Sequence, residues 1–158
     1  MLFKCGVWWG KSFYQQFAQE VSSHYQIPLA EMRMMELSQC IQHCWKSHGW
    51  GSIKLDFDYY EQGFLVIEIA QSPFARPDVL GNEPSCYLEA GMLSSFFSNL
   101  SGTKLHCIQT SCESLGADCN VFVLGLTKRI ETINPLIENN SSHDDIMEFL
   151  CSNVEGQE

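Results

Sequence analysis

The sequence predicts an α+β domain, a four-stranded antiparallel sheet covered by helices in the order ααββαββαα. Two pairs of short segments alternate apolar and polar residues with period two, and a short Gly-bearing connection joins the members of each pair. Between the pairs and at both ends the apolar residues recur at helical spacing instead. Short connections make neighbouring strands antiparallel, and such a sheet must be buried under helices.

A first helix is expected from Ser12, a good cap residue, with Phe13, Phe17 and Val21 along one face. Pro28 interrupts, and a second helix runs from Leu29 to His48, burying Met34 or Met35, Leu37, Ile41, Cys44 and Trp45. After Gly49 and Gly51, Ile53, Leu55 and Phe57 alternate with Lys54, Asp56 and Asp58 in a half-buried strand. Its partner is Phe64 to Ala70, and Gly63 supplies the backbone freedom of the intervening turn. A loop with Pro73, Pro77, Gly81 and Pro84 follows.

From Ser85 to Leu100 the residues Leu88, Met92, Leu93, Phe96, Phe97 and Leu100 form a wide apolar stripe, while Ala90, Gly91, Ser94, Ser95 and Ser98 keep the rest of the helix small. Small residues let another body approach closely: a neighbouring element, a subunit or a ligand. Strands at Lys104 to Thr110 and Asn120 to Leu126 flank a loop with Gly116. Helices at Lys128 to Glu138, interrupted by Pro135, and at His143 to Cys151 complete the order, with a turn at Asn139 to Ser142. Residues 1–152 read as one domain and 153–158 as a flexible tail.

Composition excludes several functions. With 19 acidic against 9 basic residues the formal charge is −10, which repels phosphate backbones and leaves no basic stripe for nucleic acid. No run approaches the roughly 20 apolar residues of a membrane span, and the six residues between Lys4 and Lys11 are too few for a signal-peptide core. A cytoplasmic location is expected. The eight cysteines are too scattered for a disulfide framework and read as buried thiols. No nucleophile motif accompanies the five histidines, so no catalytic residues are expected. Cys40 and Cys44, with His43 and His48, sit about a turn apart on the second helix, but no further nearby donor completes a metal set.

Several motifs together resemble the 4-vinyl reductase domain family, of the fold shared by nitric-oxide-signalling and Golgi-transport ligand-binding proteins. They are Gly49-Trp50-Gly51, the hairpin, E-I-A-Q-S-P-F-A, C-Y-x-x-A-G-x-L at Cys86, C-x-x-x-G-A-D-C-x-x-F-V-L-G and Arg129-Ile130-Glu131. The resemblance implies a small, often dimeric α+β domain that holds an apolar small molecule or acyl chain beneath the small-faced helix, as a sensor or adaptor. Trp8, Trp9, Tyr87, Met92, Leu93, Phe96 and Phe97 are the ligand-binding candidates, with Cys86, Tyr87 and Gln109 as polar contributors. Gly91 and Ser95 are the candidates for a homo-oligomer interface.

A second set, F-Y-Q-Q-F-A-Q-E-V, H-G-W-G-S-I-K-L-D-F and G-F-L-V-I-E-I, is similar to the cellulose synthase D subunit, an oligomeric accessory protein of cellulose secretion. It implies an alternative role as a subunit of a larger protein complex. The spacing before G-W-G and the cysteine-bearing C-terminal half depart from that pattern.

In phenol-sensing activators with this domain, the first resemblance implies a structural zinc held by three Cys and one Glu. Cys86, Gln109, Cys112 and Cys119 stand at those positions, Gln109 replacing the Glu and Cys119 falling one residue early. Gln brings no charge, and a one-residue offset on a strand turns the side chain to the other face. The choice lies between zinc on Cys86, Cys112 and Cys119, completed by Glu113 or His106, and buried thiols with no metal.

Overall fold

The computed structural model describes residues 1–75 and 86–153. Pro77, Gly81 and Pro84 of the expected loop, the helix start at Ser85 and tail residues 154–158 lie outside the described residues. Helix α1 spans Leu2–Tyr25, α2 Met34–Ser47, α3 Tyr87–Ser101, α4 Thr127–Ile130, α5 Asn134–Glu138 and α6 His143–Ser152. Strands β1 Ser52–Asp56, β2 Leu65–Ala70, β3 Leu105–Ser111 and β4 Asn120–Leu126 form one antiparallel sheet in the order β1-β2-β4-β3. The expected α+β class and strand pairs are therefore borne out.

Register follows the hydrophobic alternation. Ile67 stands opposite Leu55 on one side and Phe122 on the other, which keeps a continuous apolar row under the helices. Both β2 and β3 run antiparallel to β4, so they are parallel to each other and α3 crosses between them. On the face carrying Ile53, Ile67, Ile69, Phe122 and Leu124, the sheet packs with Phe13 and Phe17 of α1, Leu37, Ile41 and Trp45 of α2, and Met92, Leu93 and Phe96 of α3. On the other face Phe64, Val66 and Val123 form a smaller core with Ile130, Ile133, Ile146, Met147 and Leu150.

Three helices differ from expectation. The first begins at Leu2, ten residues ahead of Ser12. Gly6 and Gly10 disfavour a helix locally, but here they face α3 at a crossing too close for side chains. A Cβ on Gly6 would collide with the Leu88 carbonyl, one on Gly10 with the Met92 carbonyl, and one on Gly91 with the Phe3 carbonyl. Tertiary packing thus overrides propensity. The same contacts put the protein's own first helix on the small-residue flank of α3, where a ligand or a second copy was expected, and Gly91 and Ser95 are buried there.

The second expected helix is divided. A 3-10 turn at Leu29–Glu31 leads through extended Met32 to α2, where Glu36 caps by accepting a hydrogen bond from the Arg33 backbone N–H at 3.3 Å. That break turns Met32 inward, while Met34 and Met35 are exposed, contrary to the expected burial of one of them. In the third, expected over Lys128 to Glu138 with its interruption at Pro135, the break falls instead at a 3-10 turn over Glu131–Ile133, and Pro135 stands in the first turn of α5, where its missing N–H costs nothing.

Candidate functional site

An apolar groove of ≈ 570 Å³ lies where several elements end together. Its walls come from Leu29 and Met32 before α2, Leu37 and Ile41 within α2, Leu55 and Phe57 at the end of β1, and Phe97 and Leu100 near the end of α3. Leu65, Leu105 and Leu124 of the sheet complete it, and Ser38, Tyr60, Ser101 and Thr103 contribute its hydroxyls. Among the described residues no charged side chain, histidine or cysteine lines the groove. Met34, Tyr60 and Leu126 stand exposed at its mouth.

Local sequence explains the shape. Gly63, with φ of 87°, closes the β1–β2 connection tightly, so Phe57 and Tyr60 stay beside the strand ends. Gly102, with φ of 68°, ends α3 and turns the chain into β3. Ser98 Oγ donates to the Leu105 carbonyl at 3.2 Å and accepts the Leu105 N–H at 2.9 Å, fastening β3 to α3.

The residues expected to bind ligand do not gather in one place. Met92, Leu93 and Phe96 have no exposed surface and sit in the main core. The Phe96 ring lies 5.3 Å from Phe13, 5.3 Å from Phe17 and 5.2 Å from Phe97. Phe97 alone of the set lines the groove. Trp9 packs on Trp50 and Phe74 at 5.1 and 5.8 Å, whereas Trp8 is 77% exposed on the outer side of α1. Tyr87 borders a separate hollow of ≈ 360 Å³ with Phe3, Cys86, His106 and Gln109. The groove's own walls were missed because Leu29, Leu37, Leu55 and Leu100 read only as core. The available signal was the run of apolar residues on both sides of the hairpin turn: Phe57, Tyr60 and Phe64.

At the opposite end of α3 the expected zinc ligands meet a closed hydrogen-bond network. Gln109 Oε1 accepts the Cys86 N–H at 3.0 Å, and Gln109 Nε2 donates to Asn120 Oδ1 at 3.0 Å. Asn120 Nδ2 in turn donates to Glu113 Oε2 at 2.9 Å. Glu113 also accepts the backbone N–H groups of Gln71 at 2.7 Å and Ser72 at 3.3 Å. Cys112 Sγ lies 2.9 Å from Ser114 Oγ.

The one-residue offset has the consequence expected of a strand. Asn120 turns inward to Cys86 and Gln109, while Cys119 borders Lys54 and Glu68 in another hollow. His106 packs against Phe3 with the rings tilted and their centroids 5.1 Å apart. Among the described residues no group of three or more His, Cys, Asp or Glu side chains could hold a metal ion. The donor set therefore does not fit zinc.

Electrostatics agree with a neutral interior. Burial first, then Glu89 and Cys112, pushes the Cys86 thiol up to about 12. The fully buried Cys107 is raised well above the usual thiol range by the same cause. Glu89 is raised to about 8, chiefly by burial and less by Glu113 and Cys112, against the lowering effect of its hydrogen bond from Ser72. Protonated thiols are poor nucleophiles. Burial also lowers His143, whose Nδ1 lies 2.8 Å from Thr110 Oγ1 and ties α6 to β3.

The family model of the 4-vinyl reductase domain matches residues 65–126, from β2 through β4. That match bears out the resemblance carried by the motifs. No curated protein sequence gives a significant match. Among solved structures, a vinyl-4-reductase family protein from Methanocaldococcus jannaschii is 18% identical with a TM-score of 0.55, the match covering 78% of this chain and 66% of that one. The phenol-responsive sensory domain of the transcription activator PoxR, solved with phenol, is 14% identical with a TM-score of 0.58, covering 80% and 63%. A trafficking protein particle complex subunit 3 from Naegleria fowleri, covalently bound to palmitic acid, is 15% identical with a TM-score of 0.57, covering 80% and 78%. The chain thus spans just under two-thirds of the first two. At these identities the likeness establishes the fold.

Proposed function

We propose that this protein is a non-catalytic module of the 4-vinyl reductase domain type that holds a small apolar molecule or acyl chain in the groove between α2, the sheet ends and α3, and acts as a sensor or adaptor. The observation carrying the proposal is the groove itself, within the roughly 300–1,000 Å³ range of ligand sites and walled by apolar side chains and a few hydroxyls. A lining without acids, bases or thiols among the described residues supports binding over chemistry. Phenol and palmitate in the two structural neighbours lend the proposal its ligand class. Assembly into a homo-oligomer would need a surface other than Gly91 and Ser95, since α1 covers both.

Titration with a series of linear alkanols and alkylphenols tests this. Each CH₂ added inside the groove contributes about 0.8 kcal/mol, close to fourfold in affinity, until the groove is full and the gain stops. Ser38→Trp, at a half-buried lining position, brings that plateau to shorter chains. If no alkanol or alkylphenol of any length binds or raises the melting temperature, the groove is not a ligand site.

A further inference from the structure

We propose that the outer face of the N-terminal half of α1 docks on an anionic lipid surface. The sequence marks Trp8 and Trp9 together, but the fold separates them, one into the core and one into solvent. Trp8 is 77% exposed, on the opposite side of the helix from the buried Gly6, Gly10, Phe13 and Phe17. Helical spacing puts Lys4 one turn before it and Lys11 one turn after it on the same face. Cys5 is exposed on that stripe, Leu2 at 54% and Val7 at 37% stand on its flanks, and Met1 lies at its end.

Charge selects the occupant. Lys4 and Lys11 are the only charged side chains among residues 1–19 of a chain whose net charge is −10. The one ion pair among the described residues is Lys54 with Glu68, so neither lysine is neutralised within the described fold. Pairing this face with itself in a second copy would bring lysines together near the two-fold axis, whereas an anionic bilayer meets both. Trp8 seats at the headgroup boundary, and the lysine stems extend to the lipid phosphates beside it. The face is distinct from the groove, so docking does not depend on what the groove holds.

Flotation of the intact protein with vesicles of phosphatidylcholine, with and without phosphatidylglycerol, tests the proposal. Binding is expected only to the anionic vesicles, with Trp fluorescence quenched by brominated lipid and that quenching lost in Trp8→Ala. Lys4→Glu and Lys11→Glu should each weaken binding by at least about fivefold, from roughly 1 kcal/mol per basic residue at an anionic surface. Absence of binding, or binding unchanged in all three variants, overturns the proposal. So does a Trp8→Ala variant that loses a dimer in sedimentation while vesicle binding is retained, because the face then belongs to a second copy. All three positions are exposed.

Discussion

Glu89 is buried in the interior of the fold. Its carboxyl has no exposed surface and receives a hydrogen bond from Ser72 Oγ, 3.1 Å from both oxygens. With its ordinary value at 4.5 and its folded value at about 8, the unfolded chain gives up the proton first as pH rises. Stability contributed by the protonated form is therefore complete below the lower value and is lost progressively up to the upper one, at no more than about 1.4 kcal/mol per pH unit. Burial lowers His106 and His143 and so works in the opposite direction, favouring the fold as pH rises. The informative quantity is then the difference between wild type and Glu89→Gln, which keeps an acceptor for Ser72 but does not ionise. Urea midpoints should converge near pH 4.5 and separate in favour of the variant toward pH 8. Parallel curves would mean that Glu89 is ionised in the fold.

A neighbouring residue reverses the usual polarity of that argument. Asn120 is fully buried and joins Gln109 to Glu113, so it accepts and donates where a metal ligand was expected. Asn120→Ala would leave the Gln109 amide and the Glu113 carboxylate short of partners, at a cost of about 3 kcal/mol in unfolding experiments. A loss below about 1 kcal/mol would show that water replaces the amide readily.

Helix pairs define the next scale, and α1 against α3 is the tightest. Backbone meets backbone there, so the methyl of Gly91→Ala faces the Phe3 carbonyl and the main-chain nitrogen of Val7, neither of which can swing aside. Ala improves helix propensity by about 1 kcal/mol, but overpacking typically costs about 1–3 kcal/mol. Net destabilisation is expected in thermal melts, and a stabilised variant would mean that the helices separate freely. This crossing also explains what the sequence conceals. The strands and α3 are legible because period-two and helical patterns are local, and the Cys119 offset is legible because strand parity is local too. The start of α1 is not, since Gly6 and Gly10 look like breakers until α3 is known to cross them. Nor is the groove, whose walls are leucines and phenylalanines from separate elements that meet only in three dimensions.

At the scale of the molecule, the two proposed surfaces differ in how they respond to salt. The groove carries no charge on its described walls, so a neutral alkanol entering it exchanges apolar surface for water and leaves the field of the −10 chain unchanged. The outer face of α1 depends on two lysines held at a protein of opposite net sign, an interaction that persists only while the Debye length is long. Between about 0.01 and about 1 M salt that length falls from about 30 Å to about 3 Å. Alkanol affinity should therefore stay within about twofold or strengthen slightly, whereas vesicle binding should fall more than about tenfold. Salt-sensitive alkanol binding would place a charged group at the groove that the fold does not put there. Salt-insensitive vesicle binding would assign the membrane contact to apolar insertion alone and remove Lys4 and Lys11 from it.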